Sequence, residues 1–403
     1  MSNWEWKTLQ DVCLMKIKDG THQTPTYCDS KSGFPFLSSK DITSEKINWD
    51  NIKYIVPDLH RELYARIAPQ KDDVLLAKNG TTGVAALVED DRVFDIYVTL
   101  AVLRPNQKIV LPNYLLRIVN SPICKSQFDS HLKGMGVPNL HLNEIQKVLI
   151  PVPPLAEQKR IVKTLDEKFA KIDKLKNAAE INLKNAREIF NAELNSKLNV
   201  ENENLPQGRE KKYIREIVEK IQNIKWDKFP QGQELFYIDL SSVNKDNQQI
   251  EEVSSVNRDN APSRAKQIIL ENDVIFATTR PTQKRVCVIP NEYNGQICST
   301  GFCVLRPKDK ITSNYLFYCL LTEGFYSYIR PLEKGANYPA VSDSVVKDFQ
   351  IPLPPLSEQK RIVAHLDKLS EKVKRLEEIY RRTITDCEEL KKSILKQTFE
   401  GGN

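Results

Sequence analysis

The sequence predicts an α+β protein with a pseudo-two-fold internal repeat, in which two similar mixed domains alternate with two long helices. Three observations predict this fold class. One segment occurs twice in the 403-residue chain, a stretch without proline or glycine follows each copy, and short β-type runs precede each copy. Because the repeat is far longer than the roughly 20–50 residues of a solenoid unit, we interpret it as a duplicated domain.

The repeated segment is the strongest signal in the chain. Residues 150–162, Ile-Pro-Val-Pro-Pro-Leu-Ala-Glu-Gln-Lys-Arg-Ile-Val, return at 351–363 with eleven of thirteen positions identical and an offset of 201 residues. Weaker matches surround it, such as Val102-Leu-Arg-Pro with Val304-Leu-Arg-Pro. Since the connector matches better than the domains, we infer one shared architecture that carries two different binding surfaces. A tandem duplication without a shared task is the alternative.

Each copy of the segment predicts the start of a long helix. Pro153-Pro154 and Pro354-Pro355 suit a helix entrance, and no proline or glycine follows up to Leu198 or Thr398. Each helix would span roughly 60 Å at about 1.5 Å per residue. Apolar residues at alternating spacings of four and three predict a seam that packs on the other helix, a coiled coil. The alternative is that each helix packs on its own domain. The predicted seam is Ile362, Leu366, Leu369, Val373, Leu376, Tyr380, Thr383, Cys387, Leu390, Ile394 and Gln397 in the second helix, and Ile161, Leu165, Lys168, Ile172, Leu175, Ala179, Asn182, Ala186, Ile189, Glu193 and Ser196 in the first.

The rest of the chain forms two variable units, each predicted to hold a small, strongly bent sheet with short helices. We divide the chain into a first domain at 1–153, a first helix at 154–200, a second domain at 201–354 and a second helix at 355–403. Short helices are predicted at about 113–120 and 314–322, and strands at Phe34–Leu37, Asp73–Ala77, Val84–Val88, Tyr97–Leu103, Leu235–Leu240, Asp273–Ala277, Arg285–Ile289 and Cys298–Leu305.

Two polar loops recur at the same place in both halves. The first is Ala77-Lys-Asn-Gly-Thr-Thr-Gly83 in one half and Ala277-Thr-Thr-Arg-Pro-Thr-Gln-Lys-Arg285 in the other. Backbone N–H, hydroxyl and cationic donors on one turn suit a phosphate or a base edge, although an ordinary polar hairpin is the alternative. The second loop, Lys133–Asn139 and Lys334–Ala340, repeats Lys-Gly-x-x-x-Pro; here a purely structural turn is the alternative. A third polar segment, Gly20-Thr-His-Gln-Thr-Pro25, has no clear counterpart in the second half.

Composition and missing motifs argue against several classes. The longest strongly apolar run has seven residues, whereas a membrane span needs about 20, and the N-terminus shows no apolar signal segment. Eight cysteines without a Cys-x-x-Cys pair indicate free thiols in a reducing cytoplasm. No phosphate loop, Gly-x-Gly-x-x-Gly or Asn-Pro-Pro-Tyr-type motif occurs, and the five histidines are too isolated for a metal site. A nuclease pair of Asp73 with Lys78 fails because the second copy replaces the lysine by Thr278. The net charge of +6 does not by itself indicate a partner.

Together these segments resemble a known family, the specificity (S) subunits of type I restriction–modification systems. The doubled Pro-x-Pro-Pro-Leu-x-Glu-Gln-x-Arg-Ile at 151–161 and 352–362 carries most of the resemblance, with Gly20–Pro25, Gly80–Gly83 and Gly134–Leu140 as supporting motifs. The resemblance implies two target-recognition domains that each read one half of a split DNA sequence, separated by antiparallel spacer helices. The second-half loop, with Arg280 and Pro281, departs from the Gly-Thr-x-Gly form of the family.

The resemblance also implies partners and a location. Modification subunits that bind S-adenosylmethionine dock on the scaffold, motor–nuclease restriction subunits that use ATP and Mg²⁺ join them, and the chain itself has no catalytic, cofactor or metal site. The complex is expected in the cytoplasm of a bacterium or archaeon. The residues predicted to contact DNA are Thr21, His22, Thr24, Lys78, Asn79, Thr81, Thr82, Lys133, Asn139, Thr279, Arg280, Thr282, Gln283, Lys284, Arg285, Lys334, Asn337 and Tyr338.

Two other functions remain open from the residues alone. One is a stand-alone DNA methyltransferase or nuclease with tandem recognition domains, which the missing cofactor motifs disfavour. The other is a coiled-coil scaffold that never contacts DNA. Binding of S-adenosylmethionine by the isolated chain separates the first from a specificity subunit, and a gel shift with a modification subunit present separates the second.

Overall fold

The fold was analysed in a computed structural model, which describes residues 4–42, 45–130, 132, 139–198 and 210–400. No helix within these ranges combines the length and apolar character that crossing a bilayer requires. The helices are α1 Pro57–Arg66, α2 Pro112–Val119, α3 Pro122–Ser130, α4 Leu142–Lys147, α5 Leu155–Leu198, α6 Ile214–Ile217, α7 Ser313–Cys319, α8 Glu323–Ile329, α9 Asp343–Lys347 and α10 Leu356–Glu400. The strands are β1 Glu5–Thr8, β2 Lys18–Asp19, β3 Tyr27–Cys28, β4 Phe34–Leu37, β5 Lys53–Ile55, β6 Val74–Ala77, β7 Ala85–Leu87, β8 Asp95–Ile96, β9 Leu100–Leu103, β10 Leu149–Val152, β11 Glu210–Tyr213, β12 Val218–Glu219, β13 Leu235–Ile238, β14 Ser254–Val256, β15 Ala265–Ile268, β16 Val274–Ala277, β17 Val286–Val288, β18 Ile297–Ser299, β19 Phe302–Pro307 and β20 Gln350–Leu353.

The chain forms two compact units. The first contains the described residues up to Glu180 and those from Arg382 onward, and the second runs from Ile181 to Arg381. Helices α5 and α10 therefore each contribute one segment to each unit. The four-part division at 1–153, 154–200, 201–354 and 355–403 stays a prediction.

The first unit contains three sheets. One has the order β2-β9-β6-β7 and another has the order β3-β5-β4-β8, in which β4 and β8 run parallel. Strands β1 and β10 form a separate antiparallel pair. All four residues of β6 are buried, and its alternate side chains enter the cores on its two faces. Strand β6 is thus the central element from which the following loop projects.

The second unit repeats this arrangement with a change at each edge of one sheet, where β15 is added and no described strand corresponds to β3. Its sheets have the orders β12-β19-β16-β17 and β14-β13-β18-β15, and β11 pairs with β20. The four residues of β16 are all buried, as in β6. Strand β15, at the edge of the second sheet, has no counterpart among the described strands of the first unit.

The prediction of one bent sheet per unit was wrong, because each unit contains two four-stranded sheets and a separate strand pair, and the region of the fourth predicted strand changes from one sheet to the other. Residues 95–103 form β8 and β9, which belong to different sheets, and residues 97–99 turn between them. The N–H of Leu100 donates to the carbonyl of Tyr97 across this turn, at 2.9 Å. Strands β18 and β19 split in the same way. A continuous β-type pattern cannot reveal such a turn, because both strands are buried.

The motif shared by the two halves fastens each long helix to its domain. The side-chain amide of Gln158 donates to the carbonyls of Ile109 and Pro153, both at 2.8 Å, and its oxygen accepts from the N–H of Leu111 at 2.8 Å. Gln359 makes the same three kinds of contact in the second unit, and both glutamines are fully buried. Because a buried amide must be satisfied, this clamp explains why glutamine stands at the same place in both copies.

The two long helices pack on each other in an antiparallel manner within each unit. Lysine, arginine and histidine side chains pair with carboxylates across them, at positions whose numbers rise on one helix as they fall on the other. The pairs are Lys176–Glu388 at 2.6 Å and Asp173–Lys391 in the first unit, and Arg187–Glu377 at 2.6 Å and Glu193–His365 at 2.9 Å in the second. Exposed pairs of this kind contribute little to stability, so their main consequence is to set the register.

The predicted seam of α5 is correct at Ile161, Leu165, Ile172, Ala179 and Ala186, which are buried, and wrong at Leu175, Ile189 and Ser196, which are exposed. Lys168 and Asn182, placed in the seam, are exposed, whereas Phe169, Leu194 and Leu198 are buried. At its ends α5 packs on a domain core, so the buried stripe follows the 3.6-residue period of an ordinary amphipathic helix. Both alternatives for the helices therefore hold, each in a different part of the helix.

Candidate nucleic-acid interface

Three of the predicted polar segments meet at one end of β6 in the first unit. The N–H of Lys78 donates to the carbonyl of Thr99 at 2.9 Å, and the N–H of Leu140 donates to the carbonyl of Lys78 at 2.8 Å. Thr21 pairs with Tyr97 next to the same turn. The backbone of β6 thus brings together the loop after it, the Gly20–Pro25 segment and Asn139.

Lys78 is held in a buried ion pair. Its Nζ lies 2.9 Å from Oδ2 of Asp19, and the two side chains are 7% and 4% exposed. Arg66 and His22 approach the same carboxylate at 3.5 and 3.4 Å. Three nitrogen groups around one carboxylate indicate that Lys78 stabilises the base of the loop, while His22 and Arg66 lie nearer the surface.

Gly20 has a steric role that the sequence did not reveal. A Cβ atom at this position would lie 1.9 Å from the carbonyl oxygen of Ile96, so only glycine permits this approach of the two backbones. The approach buries Thr21 and leaves His22 and Thr24 exposed. The exposed pair can therefore face a ligand, whereas Thr21 positions the segment.

The tip of the first loop offers unused hydrogen-bonding atoms. The Oδ1 atoms of Asn79 and Asn139 are buried without a partner in the described part of the chain, and the two residues form an isolated β-bridge. The hydroxyl of Thr81 donates to the carbonyl of Ser39 at 3.1 Å, and Thr82 lies half-buried beside it. Lys133 lies outside the described residues.

The corresponding loop of the second unit adopts similar positive φ angles without glycine. Gly80 and Gly83 adopt positive φ angles of 77° and 85° in the first loop. Arg280 and Lys284 take the matching positions in the second loop, with φ of 51° and 58°. A non-glycine residue in this region costs roughly 1–2 kcal/mol, and such strain is often found where a side chain has a functional task.

Arg280 stands at the centre of the second candidate surface. Its guanidinium lies 4.8 Å from the ring centre of Tyr338, which is 68% exposed, and its N–H donates to the carbonyl of Pro339 at 2.7 Å. Lys334 pairs with Ala340 through both backbone groups, at 2.9 Å, in a short hairpin. The two predicted loops therefore form one surface, on which Arg280 is stacked and accessible.

The other predicted residues of this surface differ in how accessible their side chains are. Lys284 lies 4.0 Å from Glu323 and over the ring of Tyr326, and Arg285 donates to the carbonyl of Val243. Exposed side chains that remain accessible are Thr282, Gln283, Lys334 and Asn337, and Thr279 is half-buried in the bridge to Ala340. The side chains of Arg280 and its exposed neighbours are therefore more accessible to a ligand than that of Arg285.

Several residues that shape these surfaces were missed from the sequence. Asp19 holds Lys78, Arg66 approaches the carboxylate of Asp19, and the carbonyls of Thr99 and Gly301 accept the backbone N–H that begins each loop. No sequence signal marks them, because each acts through a contact that the fold creates. Within the described ranges, no cluster of three histidine, cysteine or carboxylate groups has the geometry of a metal site. Hydroxyl, amide and guanidinium groups on loops suit hydrogen bonds to phosphates and base edges.

The fold and the two loop surfaces define a class: a doubled-domain protein with one donor-rich surface on each domain. The family described as "Type I restriction modification DNA specificity domain" matches residues 1–185 and 206–381. The chain therefore belongs to this family and contains two copies of its domain, which confirms the resemblance seen in the sequence.

Similar proteins agree with this assignment. The chain is 24% identical to the type I restriction enzyme MjaVIII specificity subunit of Methanocaldococcus jannaschii, over 98% of this chain and 92% of the relative. The HsdS subunit of Thermoanaerobacter tengcongensis is 22% identical, with a TM-score of 0.56 over 99% of this chain and 97% of that one. A chain from a structure that describes complex assembly and conformational transition of the type I R-M system gives a TM-score of 0.75 at 22% identity, over 99% and 98%. These likenesses confirm the α+β fold with two domains and two long helices.

Proposed function

We propose that this chain is the DNA-recognition subunit of a type I restriction–modification complex, in which each unit reads one part of a split target. The observation that carries this proposal is the repeated loop surface at the end of β6 and β16. The backbone that supports it is the same in both units, since the N–H of Lys78 and of Thr278 each donates to the carbonyl of the turn between two strands. The side chains on it differ, so the two surfaces would read different bases.

We further propose that the paired helices set the distance between the half-sites and dock the modification subunits. Leu175 and Leu390 are 55% and 49% exposed in the first unit, at the same level of the helix pair. Ile189 and Leu376 are 59% and 40% exposed in the second unit, again at one level. The offset of 201 residues relates Leu175 to Leu376 and Ile189 to Leu390, so the same apolar pair occurs twice.

Helical geometry places the apolar pair of the first unit on the flank opposite its ion pairs. Leu175 lies three residues beyond the buried Ile172, on the other flank from Asp173 and Lys176, which pair with α10. The same reasoning separates Leu390 from Glu388 and Lys391. An exposed apolar pair that occurs in both units fits two copies of one partner, each of which contributes an apolar helix face.

Catalysis belongs to the partners in this proposal. Modification subunits supply S-adenosylmethionine chemistry, restriction subunits supply ATP- and Mg²⁺-dependent cleavage, and the complex works in the cytoplasm. The kinship with proteins named specificity subunits supports a non-catalytic chain.

Domain replacement tests the proposal of two independent readers. We replace residues 1–150 by the equivalent unit of a relative and map methylated bases in a host that carries the hybrid and its modification subunits. One half of the methylated sequence is expected to change while the other half and the gap persist; the matched control replaces 210–349 and changes the other half. If both halves changed together, the units would not read separately. Specific S-adenosylmethionine binding by the isolated chain would instead support a stand-alone methyltransferase.

Charge insertion tests the docking surface. Leu175→Glu with Leu390→Glu should prevent co-purification of the modification subunit, because burying two carboxylates in an apolar contact costs several kcal/mol. The control, Lys174→Glu with Lys392→Glu, places the same number of carboxylates on outward positions of the same helices. Equal loss of the partner in both variants would point to general charge repulsion and would remove this surface from the proposal.

A further inference from the structure

The second unit has an edge strand, β15, where the first unit has a direct backbone contact between two segments. In the first unit the residues after β2 pair directly with the turn after β8, through Thr21 and Tyr97. In the second unit β15 lies between, and the residues after β12 pair with β15 through Asn223 and Gln267. Strand β15 is therefore an additional strand at this edge of the sheet, between β18 and the segment that contains Asn223.

This edge carries three exposed cations. Arg264 and Lys266 lie immediately before and on β15, and Lys225 follows Ile224, whose N–H donates to the carbonyl of Lys266 at 2.7 Å. None of the three forms an ion pair within the described ranges. Arg264 and Lys266 lie two residues apart at the start of one strand, so both are available to bind an anion.

The cations adjoin the loop surface of the second unit. The N–H of Thr300 donates to the carbonyl of Arg264 at 2.9 Å, and the next residue, Gly301, accepts from the N–H of Thr278 at 2.8 Å. Two backbone hydrogen bonds thus connect β15 with the start of the loop that carries Arg280. Trp226 fastens the outer segment, because its indole N–H donates to the carbonyl of Ala265 at 2.7 Å.

We infer that Lys225, Arg264 and Lys266 form a phosphate-binding edge that extends the DNA contact of the second unit. The inference rests on the proposed function, and it assigns these residues to the sugar–phosphate backbone beside the second half-site. Cations on a strand edge, without shaped donors for a base, give affinity that is independent of sequence and sensitive to salt. The two units would then hold DNA unequally: the first through its loops, the second through its loops and this edge.

The test compares two variants in the assembled complex with modification subunits. The probe is a duplex that carries the target found by methylation mapping, and affinity is measured over a series of salt concentrations. Arg264→Gln with Lys266→Gln should lower the slope of log affinity against log salt by about 2, since each phosphate contact contributes about 0.9. Hydroxyl-radical footprinting should show that protection is lost only beside the second half-site, with the methylated sequence unchanged.

The matched control removes two other exposed cations from the same unit. Lys211→Gln with Lys310→Gln makes the same change in charge, away from the loop end of β16, and should leave both slope and footprint as in the unmodified complex. A salt slope that stays the same in the β15 variant, or falls equally in the control, overturns the inference. If the unmodified complex showed no specific binding or methylation, the proposed function itself would fail; a normal unmodified complex with an unaffected variant rejects the β15 edge alone.

Discussion

The two units support their loops with the same buried ion pair and then use different residues at the loop tips. Asp73 is bound by Arg104 in the first unit, and Asp273 by Arg306 in the second, with the shortest contact at 2.8 Å in each case. At the other end of the same strands, glycines in one loop are replaced by Arg280 and Lys284 in left-handed backbone positions. This comparison indicates that the buried ion pair constrains the residues of the framework, whereas the exposed residues at the loop tips can differ between the units.

The largest predicted effect concerns the shared ion pair. Asp73→Ala should lower the free energy of unfolding of the first unit by about 3 kcal/mol or more, because Arg104 would remain partly buried without its partner. Asp273→Ala should have an effect of similar size in the second unit. Hydrogen exchange measured by mass spectrometry assigns each loss to its unit.

The carboxylate of Asp73 also accepts from the N–H of Gln70 at 2.8 Å, and that of Asp273 accepts from the N–H of Leu270 at the same distance. Asp91→Ala, at an exposed position, serves as the control and should change little. If Asp73→Ala and Asp273→Ala differed by several kcal/mol, the two frameworks would not be equivalent.

Much of this framework could be predicted from the sequence. The strands that contain Asp73 and Asp273 were placed within one residue of β6 and β16, because both are continuous apolar runs bounded by turns. The partners Arg104 and Arg306 could not be predicted as such, although each lies in a repeated Leu-Arg-Pro. Such pairings join residues about thirty positions apart, and only the packed sheet brings them together.

A second, smaller effect separates the bases of the two loops. Lys78→Met should destabilise the first unit by about 2 kcal/mol, because Asp19 would keep only its longer contacts to Arg66 and His22. Thr278→Val should cost about 1 kcal/mol, the value of the single hydrogen bond from its hydroxyl to Gly301 at 2.9 Å. Chemical denaturation of the two variants checks the ranking, and the reverse order would contradict a structural role for Lys78.

The third effect is a trade between stability and binding at Arg280. Arg280→Gly should stabilise the second unit by about 1 kcal/mol, because glycine adopts the positive φ of 51° without strain, and should weaken DNA binding about tenfold or more. Arg280→Ala removes the same side chain but keeps the strained backbone, so it should weaken binding without the gain in stability. Thermal unfolding and DNA affinity, measured on both variants, distinguish a functional arginine from one that is merely tolerated.

The candidate surfaces could be predicted only in part. Their loops were found because Gly, Thr, Lys and Arg cluster between two strands at the same place in each half. The burial and the contacts of individual side chains could not be predicted. Lys78 and Arg280 both lie on the loop after a buried strand, yet Lys78 is 5% exposed beside a carboxylate, whereas Arg280 is exposed and stacks on Tyr338. Burial of a cation depends on an acid from another strand, and that contact leaves no local pattern.

The smallest effect on affinity, with a clear effect on the target, is predicted for lengthening the helices. Helix α5 ends at Leu198, so an insertion after this residue would not lengthen the helix pair. We therefore insert seven residues between Glu180 and Ile181 and seven between Arg381 and Arg382, which keeps the helix faces nearly aligned. Because seven residues add about 10 Å and a base pair advances about 3.4 Å, the unread gap should grow by about three base pairs while both half-sites stay the same. Insertion into one helix alone should disturb the pairing of Lys176 with Glu388 and reduce methylation. Methylation mapping decides between the outcomes: an unchanged gap in an active double-insertion protein would show that the helices do not set the spacing between the two readers.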